Sequence, residues 1–259
     1  MKTLHSLASS AVIFTIASLD AAPTIPADSP VPQTASGEGH HGGSGFRPGD
    51  SKPPLRYAAP AQFGSHGTFA VWVNLDDPSA ATGALLSGGS PDTGWILLQI
   101  AGGKLSFVLQ RGVKPFVGEN ECYLNISAPI DTWVPNSWHH IAAVWDARGP
   151  GQSLAALFID GQMVDERNTI SLAEGWGPEA IFVGSSSASA GAPRITGTLD
   201  DAAIFSFAVP PDQMAAVLGG ETAGAALYVN FESGFDAEDL RSSSDDAAAR
   251  AESRAKWSK

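Results

Sequence analysis

The sequence predicts an all-β fold, a two-layer sandwich of antiparallel sheets, on three observations. Seven or more short apolar runs, separated by turn residues, follow one another within residues 57–231. The chain of 259 residues contains 28 glycines and 18 prolines, which suits the many turns that such strands need. Within this span only one short segment has a helical pattern. A chain of this length can bury a substantial core as one all-β domain.

The clearest element is a hairpin around Gly102-Gly103, a pair that can supply the positive φ angles of a type I′ turn. The two strands are predicted to span Gly94–Ala101 and Lys104–Arg111. Pairing the residues that flank the turn brings three apolar pairs onto one face: Ile100 with Leu105, Leu98 with Phe107, and Ile96 with Leu109. A slip of one residue would destroy this sorting, so the pattern predicts a single register.

A second two-residue turn is predicted at Asp160-Gly161. It places Phe158 opposite Met163 and Leu157 opposite Val164. Because apolar pairs fall on both faces, these strands are expected to be covered on both sides. The remaining predicted strands span residues 68–75, 138–146, 152–160, 181–184, 195–207 (in two pieces) and 225–231.

Two helical segments close the pattern. Residues 210–218 begin with prolines and an acid and are followed by two glycines, which predicts one short helix. Residues 236–259 are acidic and then rich in Ala, Arg and Lys, and we expect a disordered or partly helical tail.

The N-terminal part of the sequence predicts export. Residues 1–22 are interpreted as a signal peptide, with an apolar stretch at residues 7–19 and small residues at Ala21 and Ala22 for cleavage. Residues 23–56, which include His40-His41, are rich in Pro, Ser, Gly and Ala, and are expected to be a flexible linker. An extracellular location follows from this interpretation. No later segment is long and apolar enough to span a bilayer.

Charge and cysteine content restrict the partners and the means of stabilisation. The formal net charge of −12 repels phosphate backbones, which argues against nucleic acid as a partner. Cys122 is the only cysteine, so no disulfide can form within the chain, and stability must come from the core. Asn125-Ile126-Ser127 is an acceptor triplet for N-glycosylation in a secreted eukaryotic protein.

Five segments resemble, in the same order, the motifs of laminin-G-like jelly rolls of the concanavalin A-like lectin/glucanase superfamily. Each fragment alone is a weak signal, and their common order makes the resemblance specific. The segments are Phe69-Ala70-Val71-Trp72-Val73, Trp138-His139-His140-Ile141-Ala142-Ala143-Val144-Trp145-Asp146, Leu157-Phe158-Ile159-Asp160-Gly161-Gln162, Gly197-Thr198-Leu199-Asp200-Asp201-Ala202-Ala203-Ile204-Phe205 and the helix that ends at Leu218.

The resemblance implies a pentraxin-related jelly roll of two antiparallel sheets, assigned to residues 57–235. Family members often begin with a W-x-F-D-E strand, and none precedes Tyr57. Residues 227–234 resemble that strand but lie near the C-terminal end of the span. They are expected either to complete the sandwich as a permuted strand or to begin a truncated second repeat.

Catalysis by a glycoside hydrolase would need two carboxyl groups about 5 Å apart, which a strand supplies at even spacing. Glu119 and Glu121 are two residues apart but lie in a predicted loop, without the third acid of the E-x-D-x-x-E strand of glucanase relatives. Asp165 and Glu166 are adjacent and therefore point to opposite faces. No catalytic residue is assigned, and the chain is expected not to be an enzyme.

The adjacent residues His139 and His140 invite a metal-binding or general-base interpretation. On a strand, neighbouring side chains face opposite ways, so the two rings cannot bind one ion together. A structural role, with one ring under the sheet, is the favoured interpretation.

Calcium is the one cofactor that the resemblance raises. Pentraxins bind it through an Asp-Asn pair and an acidic loop, and the corresponding places here read Asp92-Thr93 and Ser185-Ser186-Ser187. Calcium takes six to eight oxygen ligands with several carboxylates, which hydroxyls do not replace. Asp76-Asp77 and Asp200-Asp201 are alternative ligands, but solvated acids are the favoured interpretation. No metal or cofactor is therefore predicted.

Three aromatic residues in predicted loops, Trp133, Trp176 and Phe116, are the candidates for a ligand-contacting rim. The alternative is that they plug the ends of the sandwich. The sequence thus favours a secreted, non-catalytic binding or adhesion module that recognises a glycan or an extracellular protein through loops at the sandwich edge. A structural surface component without a specific ligand and a glycoside hydrolase are the alternatives.

Overall fold

The structure is a computed structural model that describes residues 39–40, 43–49, 54–60, 63–90, 94–111, 122–148, 152–170, 177–186, 192–222, 224–232 and 246–257. These residues contain twelve strands and two helices. Neither of the two helices is long and apolar enough to cross a membrane.

The strands, numbered in chain order, form two antiparallel sheets of six strands each, as the predicted jelly-roll sandwich requires. From edge to edge, the first sheet contains β1 (Leu55–Ala58), β10 (Ala180–Val183), β3 (Gly83–Ser90), β4 (Gly94–Ala101), β5 (Lys104–Arg111) and β6 (Cys122–Pro129). The second sheet contains β12 (Leu227–Val229), β11 (Gly197–Phe205), β2 (His66–Leu75), β7 (Trp138–Asp146), β8 (Ser153–Ile159) and β9 (Gln162–Ile170).

The main core lies between the two sheets and is filled by alternate residues of each strand. In β2, Phe69, Val71 and Val73 belong to this core, whereas Ala70 packs on the other side of the sheet. The same alternation places Trp72 on the outer face, beside Ala70. Trp145 of β7 is the largest fully buried side chain. Every strand of the second sheet near its centre is therefore covered on its inner face by apolar side chains.

The predicted register of the β4–β5 hairpin is confirmed. Ile100 pairs with Leu105, Leu98 with Phe107 and Ile96 with Leu109, and all six side chains are buried. Gly102 and Gly103 have φ angles of 58° and 71°, the positive values that the turn requires. Lys104, on the opposite face, is exposed.

The second hairpin differs from its prediction at one position. Phe158 pairs with Met163 as expected, but Leu157 lies opposite Asp165 rather than Val164, because the register shifts between Leu157 and Phe158. The prediction of the Leu157–Val164 pair was therefore wrong. β8 is buried on both faces, whereas β9 is an edge strand with Met163 and Val164 exposed, so its apolar residues do not mark a covered strand.

An irregularity also divides β11. The register with β2 shifts between Asp200 and Ala203, and Asp201 adopts a φ angle of 48°. The extra residue is a β-bulge, which changes the faces to which the neighbouring side chains point. The two pieces predicted within residues 195–207 are therefore one strand, which contains a bulge where two carboxyl groups are adjacent.

Both ends of the described chain contribute to the edge of the second sheet. β12 pairs with β11 through Ala202, Ala203 and Ile204, so the segment completes this sheet as an edge strand. Phe46 pairs with Leu199, further along the same edge, through two backbone hydrogen bonds of 2.8 Å. Its buried ring stacks on Phe231 at a centroid distance of 5.7 Å. This part of the range expected to be a linker therefore lies against the sandwich.

Two helices cover part of the outer face of the second sheet. α1 (Pro211–Leu218) agrees with the predicted helix, and α2 (Asp246–Trp257) falls within residues 236–259. Met214 and Val217 of α1 and Trp257 of α2 pack on a second apolar cluster of this face, which contains Phe158 and Phe205. The helices thus form a third layer over one half of the sheet.

A buried carboxylate attaches α2 to the sandwich. Asp146, at the end of β7, accepts hydrogen bonds from Arg254 of α2 at 2.8 Å and 3.0 Å and from Arg148 at 2.7 Å. The hydroxyl of Ser253 donates a hydrogen bond to the carbonyl oxygen of Ala208. These contacts fix the helix where its apolar residues meet the sheet.

Replacing Arg254 with alanine is expected to lower the free energy of unfolding by about 1 kcal/mol and to loosen α2. The guanidinium is half-exposed, so solvent screens its attraction to Asp146, and Arg148 still neutralises the carboxylate. Urea unfolding and amide hydrogen exchange in α2 measure the effect. The control is Glu252→Ala, which removes only a surface pair with Lys256 and should change the free energy of unfolding by less than Arg254→Ala does. A larger effect for the control would contradict the attachment role.

Candidate functional site

Trp133 lies in the loop between β6 and β7, at one end of the sandwich. Its backbone N–H donates to the carbonyl oxygen of Ile130, and its half-buried side chain packs against the main core. The indole stacks on the ring of His139 with a centroid distance of 4.0 Å and an interplanar angle of 10°. Trp133 is thus both an anchor of the loop and an aromatic ring at the rim of the sandwich.

Polar groups hold the His139 ring in this stack. Its Nδ1 atom lies 2.8 Å from a carboxylate oxygen of Asp160, and its Nε2 atom lies 3.1 Å from the hydroxyl of Ser137. The other oxygen of Asp160 accepts the backbone N–H of His140 at 2.8 Å. His139 and His140 contact different neighbours, as their predicted opposite orientation requires. A stacked pair of rings is thereby surrounded by a carboxylate and a hydroxyl.

The remainder of this loop offers an exposed apolar and an exposed amide side chain. Val134 is 65% exposed, and Asn136 is exposed in a left-handed conformation with φ of 61°. The backbone N–H of Asn136 donates to the carbonyl oxygen of Leu75 at 2.8 Å, which fixes the loop against β2. We name this surface, formed by Trp133, Val134, Asn136, His139 and Asp160, the Trp133 rim.

The other two predicted aromatic residues, Phe116 and Trp176, lie outside the described residues. Arg111 and Cys122, which flank the segment of Phe116, pair with each other at the end of the sandwich opposite the Trp133 rim. Ile170, which precedes the segment of Trp176, pairs with Ser153 at that same opposite end.

Asn125, the predicted glycosylation acceptor, lies on β6 opposite Val108. It is exposed, whereas Ile126 beside it belongs to the core. An attached glycan would extend from the outer face of the first sheet.

The acidic residues considered as metal ligands have protein partners where they are described. Asp76 pairs with Arg47, and Asp77 accepts hydrogen bonds from the backbone and hydroxyl of Ser79, which lower the pKa of its carboxyl. Asp92, Glu119 and Glu121 lie outside the described residues. Across the part of the chain that is described, no group of three or more His, Cys, Asp or Glu side chains is arranged to hold a metal ion.

A second cluster of aromatic and acidic residues lies on the outer face of the second sheet, in the half that the helices leave uncovered. Trp72 of β2 pairs with His140 of β7, and the two rings meet edge to face at 5.3 Å. The ring of His40 stacks on Trp72 with a centroid distance of 3.4 Å and an angle of 13°. It also meets Trp138 at 5.7 Å, at a steep angle of 74°. A residue from the expected linker therefore packs on an aromatic surface of the sheet.

Two carboxyl groups border this aromatic surface. Asp200 is 1% exposed and accepts the backbone N–H of His40 at 2.7 Å. Tyr228 donates its hydroxyl to Asp201 at 2.5 Å. Burial and the neighbouring carboxylate of Asp201 raise the pKa of Asp200 to about 7. We name the set of Trp72, Trp138, His140, Asp200 and Asp201, with its occupant His40, the outer-face cluster.

In the same cluster, the pKa of His140 is shifted in the opposite direction, to a lower value. Its side chain is 2% exposed, and its Nδ1 atom has no hydrogen-bond partner. Burial lowers the pKa of its imidazole to about 4, because the charged form would lose its hydration. The ring is therefore neutral at physiological pH and packs as a flat, weakly polar group against Trp72.

Comparison with known proteins agrees with this architecture. Residues 55–215 match the laminin-G family model described as the concanavalin A-like lectin/glucanases superfamily. No curated protein matches the chain at a significant level.

Solved structures show the fold at low sequence identity. A point mutant of HCR/D is 14% identical, with a TM-score of 0.50 over 69% of this chain and 42% of its own. A native heptameric SAP-like pentraxin from Limulus polyphemus is 17% identical, with a TM-score of 0.47 over 65% of this chain and 76% of its own. The CBM40 of a Ruminococcus gnavus IT-sialidase bound to alpha2,3 sialyllactose is 14% identical, with a TM-score of 0.49 over 68% of this chain and 96% of its own. With a family model that matches more than half of its length, the chain belongs to the concanavalin A-like lectin/glucanase superfamily, in its laminin-G group.

Proposed function

We propose that this chain is a secreted, non-catalytic binding module that recognises a glycan through the Trp133 rim. The observation that carries the proposal is the stack of Trp133 on His139, with the carboxylate of Asp160 and the hydroxyl of Ser137 fixed beside it. Aromatic faces pack on the apolar faces of sugar rings, while carboxylates, hydroxyls and amides bond the sugar hydroxyls. An extracellular protein is the alternative ligand, and exposed Val134 is the apolar group that such a partner would cover.

A non-catalytic role is supported by the placement of the described acids. Asp165 and Glu166 of β9 are adjacent, and Asp165 pairs with Arg167. Asp160 bonds the backbone N–H of His140, so this carboxylate positions an imidazole and a turn. Asp165 and Asp160 thus act as structural partners of neighbouring groups, and they do not form a carboxylate pair that could flank a glycosidic bond.

A glycan array with the full chain, run with and without calcium, tests the proposal. Changing Trp133 to alanine is expected to weaken binding of the best glycan at least tenfold, because the stacking face is lost. Asn136→Gly is expected to weaken binding severalfold without disturbing the loop, because glycine adopts the positive φ angle freely. The matched control is Glu179→Ala, an exposed residue at the opposite end of the sandwich, which should bind as the wild type does.

Four outcomes separate the alternatives. Loss of binding in both rim variants, with the melting temperature of Asn136→Gly unchanged, supports the rim. Binding that survives in both variants places the ligand elsewhere and contradicts the proposal. The absence of any glycan or protein ligand would favour a structural surface component, and digestion of a polysaccharide by the wild type would favour a glycoside hydrolase.

The proposed secretion is tested by N-terminal sequencing of the exported protein, which should lack residues 1–22.

A further inference from the structure

The outer-face cluster holds the side chain of one residue as a binding site holds a ligand. The His40 ring lies parallel to Trp72 at 3.4 Å and edge-on to Trp138 at 5.7 Å. Its backbone N–H donates to Asp200 at 2.7 Å, across a sequence separation of 160 residues. These contacts stack a ring, orient it and fix its backbone, and they involve neither the main core nor the Trp133 rim.

The charge of the surrounding groups indicates which class of side chain suits the site. Asp200 and Asp201 are adjacent in the β11 bulge, and Glu232 adds to the negative potential that raises the pKa of Asp200. An indole face attracts a cation through its quadrupole, most strongly where carboxylates lie nearby. The neutral, buried His140 adds no competing positive charge, and its Nδ1 atom has no hydrogen-bond partner. The site is therefore aromatic, acidic and suited to a flat cation.

The backbone that carries His40 approaches the sheet more closely than a chain with side chains could. Gly39 donates its N–H to the carbonyl oxygen of Gly43, which closes a tight turn around His40. Gly43 has a φ angle of 72° and lies against the carboxylate of Glu232, where a Cβ atom would overlap it. At Gly45 a Cβ atom would overlap the methyl carbon of Thr198. The two glycines that follow His40 are thus a steric requirement of the docking.

We propose that Trp72, Trp138, Asp200 and Asp201 form a binding site for a cationic side chain carried on a glycine-flanked peptide segment, and that His40 fills this site as an intramolecular ligand. A partner protein that presents such a segment would compete with His40. Because a tethered segment has an effective concentration on the order of millimolar, the competitor binds measurably only when the tethered ligand is weakened. This site is separate from the Trp133 rim and does not depend on the glycan proposal.

The experiment uses the full chain with His40→Ala, which vacates the site but retains the anchoring contacts of Phe46 and Arg47. The probe is a synthetic peptide of residues 37–43, acetylated and amidated to remove terminal charges. Titration calorimetry at low salt should show one peptide bound per chain of the variant. The wild type should bind at least tenfold more weakly, because its own His40 occupies the site.

Variant peptides test the chemistry of recognition. Arginine at the position of His40 should retain binding, whereas glutamine there should reduce it at least fivefold. Replacing His41 in the peptide with alanine should have no effect, which separates the two histidines. Adding Asp201→Asn to the His40→Ala chain should weaken binding of the histidine peptide at least fivefold, and Trp138→Ala is a second site variant if the first does not fold. Circular dichroism checks the fold of each protein.

Two results would overturn the proposal. A folded His40→Ala chain that binds no peptide at millimolar concentration would show that the contact is only part of the fold. Equal binding of the glutamine and histidine peptides would show that the site does not select a cation.

Discussion

Changing Trp145 to alanine is expected to lower the free energy of unfolding by about 4 kcal/mol, one of the two largest effects predicted for this protein. The indole is 1% exposed and lies between the sheets. It meets Phe63, Phe69 and Phe107 at centroid distances of 5.3 to 5.5 Å, and its N–H donates to the carbonyl oxygen of Gly64 at 2.7 Å. The substitution removes all of these contacts, leaves a cavity that rings from both sheets cannot fill, and leaves a buried carbonyl oxygen without its donor.

Urea unfolding of the full chain measures this effect. Trp145→Phe should cost about half as much, because it retains ring contacts and loses only the hydrogen bond and part of the volume. The surface control is Met163→Ala on the edge strand β9, where the side chain is 45% exposed and the expected change is within about 0.5 kcal/mol. A loss below about 1 kcal/mol for Trp145→Ala would contradict the packing of the two sheets around this indole.

Local chemistry explains why part of the fold was predictable. The β4–β5 hairpin was predicted residue by residue, because Gly102-Gly103 determines the turn and the apolar residues alternate on either side of it. Trp138–Asp146 was likewise predicted with its observed bounds. In each case the information lies in neighbouring residues, and a single register sorts the apolar side chains to one face.

Bulges explain where the strand predictions failed. The register shift beside Leu157 and the one at Asp200 each add one residue to a strand, and neither position contains a glycine or proline that would indicate it. Asp200 and Asp201 were therefore interpreted as solvated acids at a turn or sheet edge. Asp200 instead lies opposite Trp72 on the outer face, where it is buried, and Asp201 follows it in the bulge. A pattern of alternating apolar and polar residues does not indicate where such an extra residue is inserted.

The outer-face cluster was missed for a different reason, which is sequence distance. His40 lies in a glycine tract whose composition is typical of a linker, and its partner Asp200 is 160 residues away. The alternation of β2 places Trp72 on the face opposite Phe69, Val71 and Val73. That alternation was the one available signal. His140 lies opposite Trp72 on the neighbouring strand β7 and faces the same side of the sheet.

The second large effect is expected in the pH dependence of stability, where two groups of the outer-face cluster act in opposite directions. Burial lowers the pKa of His140 from 6.5 to about 4, whereas burial and Asp201 raise the pKa of Asp200 from 3.8 to about 7. Unfolding returns both groups to their ordinary values. The folded state thus binds one proton more at Asp200 between pH 3.8 and about 7, and one proton fewer at His140 between about 4 and 6.5.

The sign of each contribution follows from these proton counts. The stability that Asp200 contributes is complete below pH 3.8 and is lost as the pH rises through about 7. The stability that His140 contributes is complete above pH 6.5 and is lost as the pH falls through about 4. In the wild type, the pH dependences of stability that Asp200 and His140 contribute have opposite signs and nearly cancel between pH 4 and pH 6.5. Removing one of the two groups should therefore leave the pH dependence of the other.

Asp200→Asn should gain stability relative to the wild type as the pH rises from about 4 to about 7, by on the order of 4 kcal/mol. His140→Gln should gain stability relative to the wild type as the pH falls over the same range, by on the order of 3 kcal/mol. Urea unfolding at intervals across this range gives both curves as differences from the wild type, so the titrations of other groups cancel. A loss of stability that does not vary with pH shifts a whole difference curve and leaves its slope unchanged.

The opposite signs make this comparison decisive, because a general change in stability or in net charge would move both difference curves the same way. Difference curves for Asp200→Asn and His140→Gln with the same sign of slope, or with no slope, would show that folding does not shift the pKa values of the two groups away from 3.8 and 6.5. The close packing of Trp72, His140 and Asp200 would then need another energetic explanation.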